Sequence, residues 1–468
     1  MGDTAIEPSM PDSRPTLVEK LLVNRNFALL WVGDVISALG DYSFGITLTL
    51  WIYLYLAKNQ PWALLAIAGL TLSSTLPPLF IGPIAGVYVD RWNKRLTMMT
   101  ADIIQAALVG VLVVTTFLPG GQLPIFWQLG IIYVINFLLI SVDQFYNQAG
   151  FPLIGDIVPE RHFAKAMSRV LVFVSIGTMV GPAIGSPLFI GFGPRWALLI
   201  NAISFIVSFA LLIPIRTPPV AVPEHSQSGA SSRQKKQFWP EFREGLQFVL
   251  GSRILRTMII AMAIETLGTA AIPILNVAFA FTNLHIPAAY FGFLVTALGG
   301  GALIGSMFGP AIVNKLTQAR VFWLSLYADG IFLIIYSRLT NYIAAIFIIG
   351  ILGMVTGIFN VAIGPLILRV TPREMMGRGT AVRVAIITTV DVIGTVAVGA
   401  LISTPFQHIH VNVAGTQFGA TDIIFLTAGI MAILSGVYAM FNVVEPAETK
   451  EETTSVVESA VEATQVKE

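Results

Sequence analysis

The sequence runs to 468 residues, of which 55% are hydrophobic and only 11% charged, with a formal net charge of +1. An ordinary soluble domain carries about 25% charged residues, so this composition excludes one and describes a chain that crosses a bilayer many times. Cysteine is absent, which removes disulfides and thiolate metal sites.

A helix needs about 20 mostly apolar residues to cross the hydrocarbon. By that measure twelve spans are predicted, at 27–57, 62–89, 96–118, 125–147, 166–190, 194–214, 254–281, 289–313, 320–337, 342–368, 379–403 and 421–443. Barrel strands would be short and strictly alternating, whereas these stretches are continuous and rich in Leu, Ile, Val, Ala and Gly, so helices are expected. Residues 1–26 contain no short apolar stretch with a small-residue cleavage site and read as a cytoplasmic segment rather than a signal peptide. Basic residues stay on the inner side of a membrane. With both termini inside, inner segments hold 24 of the 27 Lys and Arg, and outer loops hold only Lys58, Arg195 and Arg338. Topology thus accounts for the basic residues, and nucleic-acid binding has no support. The expected location is the cell membrane, in contact with lipid on all sides.

The first span carries Asp34, Ser37 and Asp41 at i, i+3 and i+7. They form one polar stripe, with the two acids about 10 Å apart by helix rise. An intramembrane carboxylate is costly and is a functional candidate by default. After the second span comes GPIAGVYVDRWNKR, which places Gly86, Asp90, Arg91, Lys94 and Arg95 in a short inner loop. This resembles motif A of the major facilitator superfamily. The resemblance implies that the acid and the basic residues latch two halves of the molecule together on the cytoplasmic face, with the glycine permitting close helix approach. Asp102 and Asp143, near the inner ends of the third and fourth spans, read as structural partners for loop arginines.

The fifth span contains GTMVGPAIGS, whose Gly177, Gly181, Pro182 and Gly185 are similar to motif C of the same superfamily. That motif implies a proton-coupled antiporter exporting drugs or metabolites, and a hinge or seal at this place. Gly177, Gly181 and Gly185 share one helix face, where a neighbour can pack backbone to backbone. Pro182 has no N–H to give Thr178, which in a soluble helix costs roughly 3 kcal/mol.

Residues 217–237 read TPPVAVPEHSQSGASSRQKKQ, a flexible linker within a cytoplasmic segment 215–253. Phe238, Trp239, Phe242, Leu246 and Val249 then follow at helical spacing, as an amphipathic surface helix or as an extension of the seventh span. The linker separates bundles at 27–214 and 254–443, which look like repeats of one another. PLIGDIVPE from Pro152 matches PLILRVTPR from Pro365 at an offset of 213, and RNFALLWVGDVISALG from Arg25 matches RILRTMIIAMAIETLG from Arg253 at an offset of 228. At the first offset Gly181 becomes Gly394, but Gly177, Pro182 and Gly185 become Val390, Thr395 and Val398. Val313 stands where the repeat would put Asp90.

In the second half Glu265 aligns with Ser37, and Asp391 lies in the eleventh span, with Arg383 two turns before it. In the superfamily the first and seventh helices line the central cavity. The resemblance therefore implies that Asp34, Asp41 and Glu265 face one another there and carry proton coupling, with Asp391 secondary and Asp329 unassigned. Trp31, Tyr42, Phe44, Phe145, Tyr146, Phe281 and Phe293 are aromatic candidates for stacking on a ligand. The segment 444–468, with seven glutamates and two lysines, reads as a disordered acidic cytoplasmic tail. His408 and His410 read as a chance pair, so no metal and no cofactor is expected, and no Walker A loop, HExxH or GxSxG is present.

The sequence as a whole is identified as a member of the major facilitator superfamily over roughly residues 20 to 444, resembling the branch with macrolide efflux proteins and siderophore exporters. The expectation is an all-α membrane protein of twelve transmembrane helices in two six-helix repeats. It would act as a monomeric secondary active transporter that exports an amphiphilic small molecule by proton antiport. An importer or lipid mover of the same fold is the alternative, and a membrane-embedded enzyme lacks a catalytic constellation.

Overall fold

The computed structural model describes residues 23–117, 123–216, 238–402, 411–413 and 416–443. The start of the chain, residues 217–237 of the linker, His408, His410 and the acidic tail lie outside the described residues. Among the described residues eleven helices are long and apolar enough to cross a membrane, and one of them, Phe163–Leu212, is divided at Gly193 into the fifth and sixth spans. The protein is therefore an all-helical membrane protein, and its described residues form twelve spans.

The first span, Arg25–Trp51, starts on Asn24, whose side chain accepts the N–H of Phe27 and so satisfies one orphan donor of the first turn. It ends in a π-helical turn, Ile52–Leu56. The predicted second span is two pieces, Ala63–Phe80 and Gly82–Val89. Pro77 and Pro78 withhold two N–H groups just before the bend at Ile81. The third, Lys94–Thr115, is capped by Asn93, and the fourth is Ile125–Ile157. No loop separates the fifth from the sixth span: Gly193, at φ 80 and ψ 173, turns the chain by itself, followed at once by Pro194. That backbone region is essentially reserved for glycine.

Phe238–Gly251 is a helix of its own. Extended backbone at Ser252 ends its path, and Ser252 caps the next helix by accepting the N–H of Leu255, which rules out a continuous seventh helix. Its Val249, Leu246 and Phe242 pack against Leu255, Ile259 and Val382, while Glu244 pairs with Arg378 at 2.7 Å at the foot of the eleventh span. The seventh span is again two pieces, Arg253–Thr269 and Ile272–Thr282. The eighth to eleventh are Phe291–Lys315, Gln318–Ser337, Tyr342–Val370 and Met376–Ile402. A short antiparallel hairpin, β1 (Val411–Val413) and β2 (Thr416–Phe418), leads to the twelfth, Ala420–Asn442.

Spans alternate in direction, so nearly all Lys and Arg fall at one end, here called the basic end, and Lys58, Arg195 and Arg338 fall at the far end. The apolar core divides accordingly. At the far end one continuous cluster draws on both six-span groups, from Leu48, Ile67 and Phe189 to Ile274, Phe279 and Ile349. At the basic end the clusters are separate. One holds Phe27, Met98 and Leu153 of the first group, and others hold Phe322, Leu366 and Val382 of the second. The molecule is closed at the far end and parted at the basic end.

Gly193→Ala forces a Cβ onto a backbone that only glycine adopts at a cost of about 1–3 kcal/mol. Thermal unfolding of the purified full chain should show a clearly lower midpoint for Gly193→Ala. Gly191→Ala, where an added Cβ meets nothing within 4 Å, should leave it close to wild type.

Candidate functional site

Asp34 and Asp41 do form a stripe, and both line a cavity of about 220 Å³ in the first group together with Ser37, Gln105, Asp143 and Tyr146. The fourth span supplies a second stripe by its own periodicity, Asp143, Tyr146, Asn147 and Gly150 at i, i+3, i+4 and i+7. The Tyr146 hydroxyl donates to Asp34 Oδ1 at 2.6 Å and lies 3.4 Å from Ser208 Oγ, and Asn147 donates to Asp143 at 2.7 Å. Asn201, on the sixth span, lies beside the Asp41 carboxyl. No Lys, Arg or His lines this cavity among the described residues.

Asp102 and Asp143 are not partners of loop arginines. Arg95 donates instead to the carbonyls of Leu212 and Ile213, and Lys94 pairs with Asp156 at 3.9 Å. Asp102 and Asp143 are the electrostatic neighbours of Asp41, so four carboxyls gather in the first group. The spacing of Asp143 to Gly150, and of Asp102 to Gln105, was the available signal. It describes a polar face turned into the bundle rather than toward a loop.

Glu265 belongs to a second cluster. Its electrostatic neighbours are Asp329 on the ninth span and Asp391 on the eleventh, and Thr266 donates to it at 3.4 Å. Asp391 in turn accepts from Thr75 of the first group at 3.5 Å. Of the three acids expected to face one another, Asp34 and Asp41 stand with carboxyls of the third and fourth spans, and Glu265 with those of the ninth and eleventh, so each group has its own cluster. Arg383 does not pair with Asp391; it lines a small pocket with Met258 and Thr371.

Of the aromatic candidates, Trp31 donates to the Arg169 carbonyl at 2.7 Å, Phe44 is buried, Phe145 stacks on Trp92 and Phe281 on Tyr53. Phe293 packs near Tyr290, and only Tyr42 and Tyr146 stand close to the acids.

The glycines of GTMVGPAIGS face the first span. A Cβ on Gly177 would come within 2.9 Å of Ala38, on Gly181 within 2.5 Å of Tyr42, and on Gly185 within 3.0 Å of Ser43. A Cβ on Gly394 would stand 3.1 Å from the backbone oxygen of Leu267, as one on Gly181 would stand 3.2 Å from that of Leu39, so the two repeat offsets reproduce the same approach in each group. The other side of the stretch touches the eighth span of the second group. The Pro182 carbonyl occupies the space a Cβ on Gly292 would need, the Thr178 carbonyl stands 3.1 Å from where one would be on Gly299, and Thr296 donates to the Met179 carbonyl at 2.6 Å. A tight contact of Gly399 with Ala68, on the eleventh and second spans, is the counterpart.

The motif A side chains make no bridge between the two groups among the described residues. Asp90 and Arg91 are exposed, and the bonds of Lys94 and Arg95 stay within the first group. Gly86 has open space around it rather than a close helix, because the groups are parted at this end.

The Major Facilitator Superfamily matches residues 30–382. The chain belongs to that superfamily. It is a secondary transporter and not an enzyme. Among relatives, the superfamily-type transporter YkuC of Bacillus subtilis strain 168 is 28% identical over 364 residues, covering 76% of this chain and 80% of that one. The enterobactin exporter EntS of Escherichia coli O1:K1 is 23% identical over 341 residues, covering 71% and 76%. The fold also superposes on the crystal structure of a bacterial homologue of the iron transporter ferroportin in its inward-facing state, with a TM-score of 0.65 at 15% identity over 91% of this chain and 100% of that one.

Since the chain has no cysteine, Ser186→Cys at the buried Pro182–Gly292 contact reports on the far-end seal. The thiol should resist a membrane-impermeant maleimide. Adding Gly292→Leu overpacks the contact by about 1–3 kcal/mol and should raise the labelling rate roughly tenfold or more.

Proposed function

We propose that this transporter exports an amphiphilic small molecule across the cell membrane in exchange for protons, by rocking its two groups about the acid-lined centre. The observation that carries the reading is the asymmetric closure: a glycine and proline surface seals the far end while the basic end is open and leads to carboxyls without basic partners. With the basic end taken as cytoplasmic, so that both termini lie inside, this is the state that loads cargo from the cell. The relationship to an exporter of enterobactin, itself a small molecule, supports the outward direction.

Asp41 and Glu265 would be the principal proton-coupling groups, each in its own cluster, assisted by Asp34 and Asp391. In the opposite state Asp90 and its basic neighbours would close the cytoplasmic end, and the far-end seal would part. Differential stability of these two states, biased by protons and cargo, is what drives the cycle.

A growth-inhibition panel on an overexpressing strain lacking its own pumps selects a compound. In everted vesicles from that strain, the compound should dissipate an imposed proton gradient. Asp41→Asn or Glu265→Gln should abolish the response at equal expression. An unchanged response in both variants would remove the acid assignment, and accumulation in the opposite direction without gradient dependence would favour an importer.

A further inference from the structure

Asp102 sits in the third span with 1% of its surface exposed, and neither carboxyl oxygen has a hydrogen-bond partner. The titratable groups around it are Asp34 and Asp41 from the first span and Tyr146 from the fourth, and the sixth span contributes Ser208. No basic side chain stands among them. An unpaired carboxylate buried in this way costs several kcal/mol, so the group needs a positive partner, and nothing larger than a proton fits a side chain so fully enclosed.

A path for that proton is already built. Ser208 Oγ lies beside the Asp102 carboxyl without closing a hydrogen bond to it, and 3.4 Å from the Tyr146 oxygen. The Tyr146 hydroxyl donates to Asp34 Oδ1 at 2.6 Å, and Asp34 lines the cavity. The chain of hydroxyls therefore joins a sealed acid to a wet one, with one link open.

We propose that Asp102 is the buried terminus of a proton path, holding one proton that reaches the cavity through Ser208, Tyr146 and Asp34. In release, the O–H bond of the Asp102 carboxylic acid breaks as one forms on the Ser208 oxygen. The Ser208 proton passes to the Tyr146 oxygen, and the Tyr146 proton passes to the Asp34 carboxylate. Each hydroxyl gives one proton and takes one, so only Asp102 and Asp34 change charge. Donation from Tyr146 to Asp34 is the orientation this direction requires, and the structure shows it in the state open at the basic end. The transport role of the path rests on the antiport reading, but the path itself can be observed with no cargo present.

Infrared difference spectra of the purified full chain, transferred from H2O to D2O, test it. One component of the carboxylic C=O absorption should be present in the wild type, absent in Asp102→Asn and restored, shifted, in Asp102→Glu. Tyr146→Phe should keep the band and slow its deuterium exchange, by roughly a hundredfold if the hydroxyl relays the proton. Ser208→Ala interrupts the same path at its next link and should give the same slow exchange should Tyr146→Phe fail to fold. A band indifferent to Asp102→Asn, or exchange as fast as wild type in both relay variants, overturns the proposal. Loss of proton coupling in vesicles with the band and its relay dependence intact speaks against antiport and for the path.

Discussion

Close backbone contact between the fifth and eighth spans is the interaction on which the arrangement depends. Inside hydrocarbon there is little hydrophobic force between helices, so association relies on packing and on hydrogen bonds that water cannot replace. Gly292 and Gly299 supply the space, and Pro182 supplies the reason to use it. Its missing N–H leaves the Thr178 carbonyl without its helical donor, and one residue on, the Met179 carbonyl accepts a hydrogen bond from the Thr296 hydroxyl across the interface. The interface is thus held by close backbone approach and by one hydrogen bond from a hydroxyl of the second group. Because the seal lies in the far half, the central space can open only toward the basic end in this state.

That opening leads to an electrostatic imbalance. The first group encloses Asp34, Asp41, Asp102 and Asp143, and the second Glu265, Asp329 and Asp391, with no ion pair to any of them among the described residues. By contrast Asp422, at the far end, is fully engaged: Arg338 pairs with it at 3.1 Å and Asn283 donates to it at 2.7 Å. Acids that serve structure in this molecule are paired, and those around the centre are not. On the proposed antiport the difference would have a reason, since a group that gains and loses a charge is poorly served by a permanent counter-ion.

The span pattern, the repeat and the glycine face were legible in the sequence because each rests on local periodicity. The offsets of 213 and 228 agree with the structure, where the approach of Gly181 to Leu39 recurs as that of Gly394 to Leu267. Less legible was anything set by rotation of one helix against another. Asp102 looked like a partner for a loop arginine because it is near a helix end, yet Arg95 found backbone carbonyls and the carboxyl turned inward. Grouping Glu265 with Asp329 likewise depends on how the seventh and ninth spans are turned toward each other within the bundle. The exposure of Asp90 was beyond reach for another reason: it belongs to one conformation, and a sequence pattern does not say which.

The single-residue turn at Gly193 makes the fifth and sixth spans a pair of tweezers around the first. Ala38, Tyr42 and Ser43 press on the glycines of one prong, and Gly33 and Gly40 press on Ser208 and Asn201 of the other. Measured from the pivot, Pro182 lies about 16 Å along one prong and Ser208 about 22 Å along the other, at 1.5 Å per residue. With no slack loop at the apex, a tilt at the far-end seal has a short mechanical route to the hydroxyl beside Asp102. The helix gripped between the prongs is the one that carries Asp34 and Asp41.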